Sequence, residues 1–361
     1  MSEPTHQRLR RGALDGAFRV AADQVASGSV PFVVAGVADA QRVIRLEALD
    51  RADGPRVGVN QPFLLASITK AVVATLVMQQ VERGRLVLRQ PIRDWWPPLR
   101  DAGATPFTAW HVLTHTSGLD DAGLEALVTR GGGREELLRE AMRVGAEAPG
   151  ARYRYVSSTF DLLVEAVAAR DGRPFPTMLA QDLLEPLGMR ETGFEPTGTN
   201  ADRPAPMHQL SASGELRPID PAIVNGMTAL HLAGGGLWST ASDVLRFGRA
   251  MLRGGELDGR RVLSPAFVAL MTRGTVSGGS EPMAIAETAE RYALGWGCAK
   301  PDTPLSRAAF GHGGASGTRL WIDPVNDIVI VYLTAVWDLP RWPVDAFVNA
   351  VCASLPEVDG R

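Results

Sequence analysis

Ser67-Ile68-Thr69-Lys70 sets a hydroxyl and an amine three residues apart. On a helix that spacing puts both side chains on one face, so the amine can reach the hydroxyl. Burial beside an electropositive helix N-terminus is expected to lower the affinity of the lysine for its proton and make it a base, which turns the serine into an activated nucleophile. Scarcity singles this lysine out. Of the 37 lysines and arginines only Lys70 and Lys300 are lysine, and arginine, with a pKa above about 12, cannot act as a base. The competing reading is a helix-capping serine followed by a lysine lying along the surface. Ala71, Val72 and Val73 would be unusual company for a surface lysine.

The elements that must hold this pair are visible in the hydrophobic pattern. From Ser67 to Gly84 the chain is apolar nearly all round, which predicts a helix buried in the core and ended by Gly84. Upstream, Leu14, Phe18, Ala21, Ala22 and Val25 recur at helical spacing within residues 6–27, and Val30–Val37 and Val43–Leu49 read as antiparallel strands. Between about 86 and 225, helix-like segments at 110–113, 124–130, 134–144, 158–170 and 177–184 alternate with loops rich in glycine and proline. Gly234-Gly235-Gly236 reads as a backbone bend beside the site. A helix at 242–252, strand-like runs at 292–296, 307–311, 318–322 and 328–334, and a last helix at 344–355 follow. Strands at both ends with helices between them predict one α/β sheet domain assembled from residues 1–85 and 226–361, interrupted by a mostly helical domain at 86–225.

Composition narrows the function classes. With 361 residues, 45% apolar, 21% charged and a net charge of −3, the chain is neither collagen-like nor disordered, and it carries no basic stripe for nucleic acid or anionic lipid. The most apolar late stretch, 328–337, is about half the ~20 residues of a membrane span and reads as a strand. Cys298 and Cys352 lack the paired spacing of zinc or redox motifs and are expected as buried thiols. Residues 1–8 hold no apolar signal core, so a cytoplasmic location is expected. His111 and His115 have i, i+4 spacing without the glutamate of H-E-x-x-H or an evident third ligand, which points to capping and packing; no metal is expected. No serine sits in a G-x-S-x-G elbow. Trp95, Trp96, Trp110 and Trp238 are candidates either for a cleft wall or for core.

Further stretches follow Ser67-x-x-Lys70 in order: Leu113-Thr114-His115-Thr116-Ser117-Gly118-Leu119, Tyr155-Val156-Ser157 ahead of Leu162-Leu163, Pro186-Leu187-Gly188-Met189, Gly235-Gly236-Leu237-Trp238-Ser239-Thr240, Leu294-Gly295-Trp296, and Gly311-His312-Gly313-Gly314 ahead of Gly317-Thr318. Together they resemble the serine β-lactamase and penicillin-binding-protein superfamily, in its class C β-lactamase-like branch that includes many esterases. The resemblance implies a β-lactamase-like fold, an antiparallel sheet flanked by helices plus a mostly helical domain, with the active site in the cleft between them.

By the same resemblance Tyr155 shuttles the proton between nucleophile and leaving group, its phenol pKa pulled down by flanking cations, with Tyr153 as the rival phenol. Ser157 stands where asparagine is usual, and His312-Gly313-Gly314 where K-T-G is usual. The exchange removes a cation and a hydroxyl that hold a substrate carboxylate, which disfavours carboxylate-bearing β-lactams and D-Ala-D-Ala peptides. His312 is expected to hydrogen-bond Tyr155 or the substrate, with Ser157, Gly313 and Gly314 beside it and the amides of Ser67 and Ala315 forming the oxyanion hole. The implied activity is hydrolysis of a small-molecule carboxylic ester through a Ser67 acyl-enzyme, without a metal or organic cofactor. An acyltransferase using the same acyl-enzyme, a β-lactamase or D-amino-acid peptidase, and a non-catalytic binding protein are the alternatives. The segment 276–290 is a candidate border of the cleft.

Overall fold

A computed structural model describes residues 9–101, 105–143, 147–274, 276–277 and 291–356. In chain order the first part holds α1 (Asp15–Ala26), β1 (Phe32–Ala38), β2 (Val43–Asp50), β3 (Phe63–Leu64) and α2 (Ile68–Glu82). The middle holds α3 (Pro97–Asp101), α4 (Ala109–Leu113), α5 (Leu124–Thr129), α6 (Arg134–Ala141), α7 (Ser158–Asp171), α8 (Phe175–Leu179), β4 (His208–Leu210), β5 (Leu216–Pro218) and α9 (Pro221–Ala229). The last part holds β6 (Trp238–Ser239), α10 (Ala241–Leu252), β7 (Glu256–Leu257), β8 (Arg260–Arg261), α11 (Pro265–Thr272), β9 (Val276–Ser277), β10 (Arg291–Tyr292), β11 (Gly297–Cys298), β12 (Phe310–Gly314), β13 (Thr318–Asp323), β14 (Ile328–Leu333), β15 (Val336–Trp337) and α12 (Trp342–Ala353).

The main sheet runs β2-β1-β14-β13-β12-β11-β10-β9, every pair antiparallel, so its strands come from both ends of the sequence. Both faces are covered. On one side α1 and α12 pack, with Phe18, Val33, Trp321, Ile330, Tyr332 and Phe347 in one apolar cluster. On the other side a larger cluster takes in α2, α10 and residues of the middle segment such as Phe160 and Leu163. Double coverage explains why β14, Ile328–Leu333, is apolar at every position instead of alternating. Among the described residues no helix is long and apolar enough to cross a membrane.

Helix α2 fits the all-round apolar reading: Ile68 to Gln80 is buried throughout. Two predicted strands are displaced. The run 292–296 turns over after Tyr292, where Ala293 N–H bonds Trp296 C=O (2.8 Å) and Gly295 takes a φ of +80°. The run 307–311 begins three residues later, because Ser306 is drawn into a turn by Asp323, which accepts from its amide at 2.7 Å and its hydroxyl at 2.6 Å. The strand therefore carries His312, Gly313 and Gly314 to its end. Helices α9 and α11 were not anticipated. Of the segment 276–290 only residues 276–277 are described.

Candidate active site

The junction between β3 and α2 presents Ser67. The β3–β6 pair continues as Leu65 N–H donates to Leu237 C=O (2.8 Å), and Ala66 then adopts a φ of +46°, a left-handed conformation costly for a residue with a Cβ. Ser67 starts the helix with helical dihedrals, and its hydroxyl makes no capping bond. This disposes of the capping alternative and leaves Oγ for other work. Three contacts from the β12–β13 end fix the junction. Ser316 Oγ donates to Leu64 C=O (2.6 Å) and Thr318 Oγ1 to Leu65 C=O (2.8 Å). Gly314 lies so close that a Cβ there would stand 2.2 Å from Leu65 O. Ala315 is thereby brought beside the serine segment, its own carbonyl held by Asp338 N–H at 2.7 Å.

Lys70 is wholly buried. Its Nζ lies 3.2 Å from Ser67 Oγ, 2.9 Å from Ser157 Oγ and 2.6 Å from Gly234 O. Burial drives its pKa down from the usual 10.5 to about 7, against the opposing pull of the Asp121 and Asp161 carboxylates. Three acceptors satisfy three ammonium hydrogens. When the amine is neutral, two hydrogens go to Gly234 O and Ser157 Oγ, and the lone pair is left to accept the Ser67 hydroxyl. The cage accommodates both protonation states, as a proton carrier requires.

Tyr155 covers this amine: Nζ sits 4.6 Å from the centre of its ring. Burial holds its phenol well above the usual range, opposed by the Ser67 hydroxyl beside it. The expected lowering of the phenol pKa is thus reversed. The nearby cation lies over the ring face, and desolvation of the phenolate outweighs it. At rest Tyr155 is a neutral phenol, and Lys70 is the group of the two that can shed its proton near neutral pH. The rival Tyr153 packs 5.9 Å from the rings of His115 and Tyr292.

Ser157 turns its hydroxyl to Lys70. Asp121 accepts from the amides of Ser157 and Ser158 and from the Ser158 hydroxyl, capping α7 from a distant loop. Asp161 accepts from Ala233 N–H (2.9 Å) and from Arg134 (3.1 Å), which steadies the segment whose Gly234 carbonyl holds Lys70. Burial raises the Asp161 carboxyl to about 6. Neither aspartate, nor Tyr292 below, carries a local sequence signal. Gly234 lay within the glycine run already read as a bend beside the site.

His312 makes no hydrogen bond to Tyr155 and meets it only ring to ring, with centres 6.4 Å apart. Its Nδ1 lies 2.8 Å from Gly313 O, and its Nε2 lies 2.9 Å from the Tyr292 hydroxyl. A carbonyl only accepts, so Nδ1 carries the hydrogen and Nε2 accepts from Tyr292. Burial, with Lys70 nearby, lowers the imidazole to about 3, so it is neutral. Gly313 makes room for Arg319: a Cβ there would fall 2.1 Å from its Nη1.

Other candidates fall outside the site. His111 completes a capping box with Thr108 at the start of α4. Trp96 and Trp238 belong to the main core, and Trp95 and Trp110 pack on its margin.

Similarity to known proteins agrees with this architecture. The chain is 31% identical to penicillin-binding protein 4 of Amycolatopsis lactamdurans over 79% of this chain and 75% of that protein. It is 30% identical to esterase EstB of Burkholderia gladioli over 55% of this chain and 58% of that protein. The solved structure of EstCE1, a hydrolase with promiscuous acyltransferase activity, superposes with a TM-score of 0.78 at 24% identity, covering 95% of this chain and 99% of that one, and shows the same fold. The family described as Beta-lactamase matches residues 17–351. The chain therefore belongs to the beta-lactamase family of serine hydrolases.

Proposed function

We propose that this protein is a carboxylesterase that works through an acyl-enzyme on Ser67. Neutral Lys70 takes the hydroxyl proton as Ser67 Oγ attacks the ester carbonyl, and the amides of Ser67 and Ala315 receive the developing oxyanion. Tyr155, resting as a phenol, gives its proton to the leaving alkoxide. Lys70 returns the proton it took to the phenolate, so the alcohol departs neutral and the pair is reset. Water then enters along the reverse path: it loses a proton to the pair, attacks the acyl carbonyl, and releases the acid and Ser67 Oγ–H.

The observation that carries the ester reading over a β-lactam or peptide reading is the state of His312. Where the family resemblance expects a lysine to hold a substrate carboxylate, this chain places a neutral imidazole with both nitrogens already bonded, to Gly313 O and the Tyr292 hydroxyl. That position offers an anion no charge. The substrate class is accordingly a small ester without a carboxylate next to the scissile bond. Steady-state turnover of p-nitrophenyl butyrate and nitrocefin, measured side by side, tests it. Ester turnover with little nitrocefin hydrolysis is expected; preferential nitrocefin hydrolysis would overturn the reading.

A further inference from the structure

His115 comes from the Leu113–Leu119 stretch that the catalytic scheme leaves unused. It is fully buried and takes a φ of +55°, a left-handed conformation in which histidine is among the enriched non-glycine residues. From there it holds Tyr155 in three ways. Its carbonyl accepts from Arg154 N–H (2.8 Å) and its ring Nδ1 from Val156 N–H (3.1 Å), so the residues on both sides of Tyr155 hang from one residue. Its ring also lies against the Tyr155 ring, with centres 4.2 Å apart and planes inclined by 30°.

We infer that His115 is a positioning residue for Tyr155, fixing the residue on either side of it and the ring face so that the phenol stays over Lys70. Because Nδ1 accepts from a backbone amide, Nε2 carries the ring hydrogen and the imidazole is neutral. Among the described residues Nε2 is buried without a partner, a cost the fold carries for the acceptor on the other side of the ring. Phe160 and Tyr292 pack on the same ring at 5.6 and 4.8 Å, which leaves it no room to swing away. Phenylalanine would keep the ring contact and lose the acceptor for Val156. Asparagine would keep an acceptor and tolerate the left-handed backbone, but lose the ring.

The inference rests on the reading of Tyr155 as proton carrier, and the test separates the two. His115→Phe and His115→Asn are made in the wild-type and in the Tyr155→Phe backgrounds, with kcat, KM and melting temperature measured on p-nitrophenyl butyrate. In the wild-type background each is expected to lower kcat about 10- to 100-fold with KM little changed, the cost of a misplacement of order 1 Å. In the Tyr155→Phe background the same changes should lower kcat by about twofold or less, because they act through the phenol. Equal losses in both backgrounds, or no loss in either single variant, overturn the inference while leaving Tyr155 as proton carrier. If Tyr155→Phe alone keeps wild-type turnover, the proton-carrier reading falls, and this inference with it. Should His115→Phe fail to fold, His115→Asn carries the comparison.

Discussion

Lys70 Nζ, wholly buried, stands 3.2 Å from Ser67 Oγ, and burial brings the amine to a pKa of about 7. In the proposed scheme the lysine serves as a base near neutral pH. Since only the neutral form accepts the serine proton, kcat/KM should fall about tenfold per pH unit below about 7 and level off above it. A rate profile that is flat across this range would remove Lys70 as the base. Lys70→Arg keeps a charge that cannot be shed and should abolish turnover.

The same burial has a consequence for stability. Between about pH 7 and 10.5 the unfolded chain holds a proton on Lys70 that the folded chain does not, so this residue's contribution to stability rises with pH across that window. Lys70→Met lacks this dependence. Its melting temperature relative to wild type should therefore decline as pH is raised from 7 to 10, and a constant difference would mean that the folded amine keeps its proton.

Asp121 caps α7 and also pulls the Lys70 pKa upward. Asp121→Asn should therefore move the acidic limb of the rate profile to lower pH, because the amine sheds its proton more readily without the carboxylate. Loss of the charged cap should also cost about 1 kcal/mol of stability. Unfolding curves and a pH–rate profile on one preparation report both effects; a limb shifted upward would contradict the electrostatic assignment.

Tyr292 supplies the only hydrogen bond to His312 Nε2 among the described residues. Tyr292→Phe leaves that nitrogen buried and unpaired, at a cost of about 1–3 kcal/mol visible in thermal melts. His312→Lys places a cation where the imidazole was and should raise acylation by nitrocefin while lowering ester turnover. If neither activity changes, the position does not govern substrate choice.

Gly314 lies against the backbone that presents Ser67. A methyl group there would meet Leu65 O at 2.2 Å, and a backbone atom cannot swing aside. Gly314→Ala should push the β12 end away from the serine, with about 1–3 kcal/mol of destabilisation and a drop in kcat of about 100-fold. Wild-type kcat in this variant would show that the close approach is not needed for catalysis.

The parts of this site legible in sequence are those with local signatures. Ser67 and Lys70 share a helical face, the all-apolar pattern of α2 predicts the burial that depresses the lysine, and the doubly covered β14 is visible as a continuous apolar run. The partners that complete the site reach it through tertiary structure. Asp121 caps a helix 36 residues later, and Tyr292 meets His312 only because β10 and β12 lie in one sheet. Helices α9 and α11 did carry a local signal, Asp220-Pro221 and Ser264-Pro265, in which a residue type favoured at helix starts precedes a proline at the first turn, although only Asp220 makes a capping bond. The direction of the Tyr155 shift was not legible, since it turns on how completely the fold excludes water from the phenol.

The central claim is that Ser67 becomes acylated with Lys70 as its base. Rapid-quench intact mass after mixing with p-nitrophenyl butyrate tests it most directly, with the adduct located by peptide mapping. Wild type should gain one butyryl group on the peptide containing Ser67, faster as pH rises through about 7, and Ser67→Ala should gain none. An adduct on another residue, or ester turnover retained by Ser67→Ala, would contradict the account.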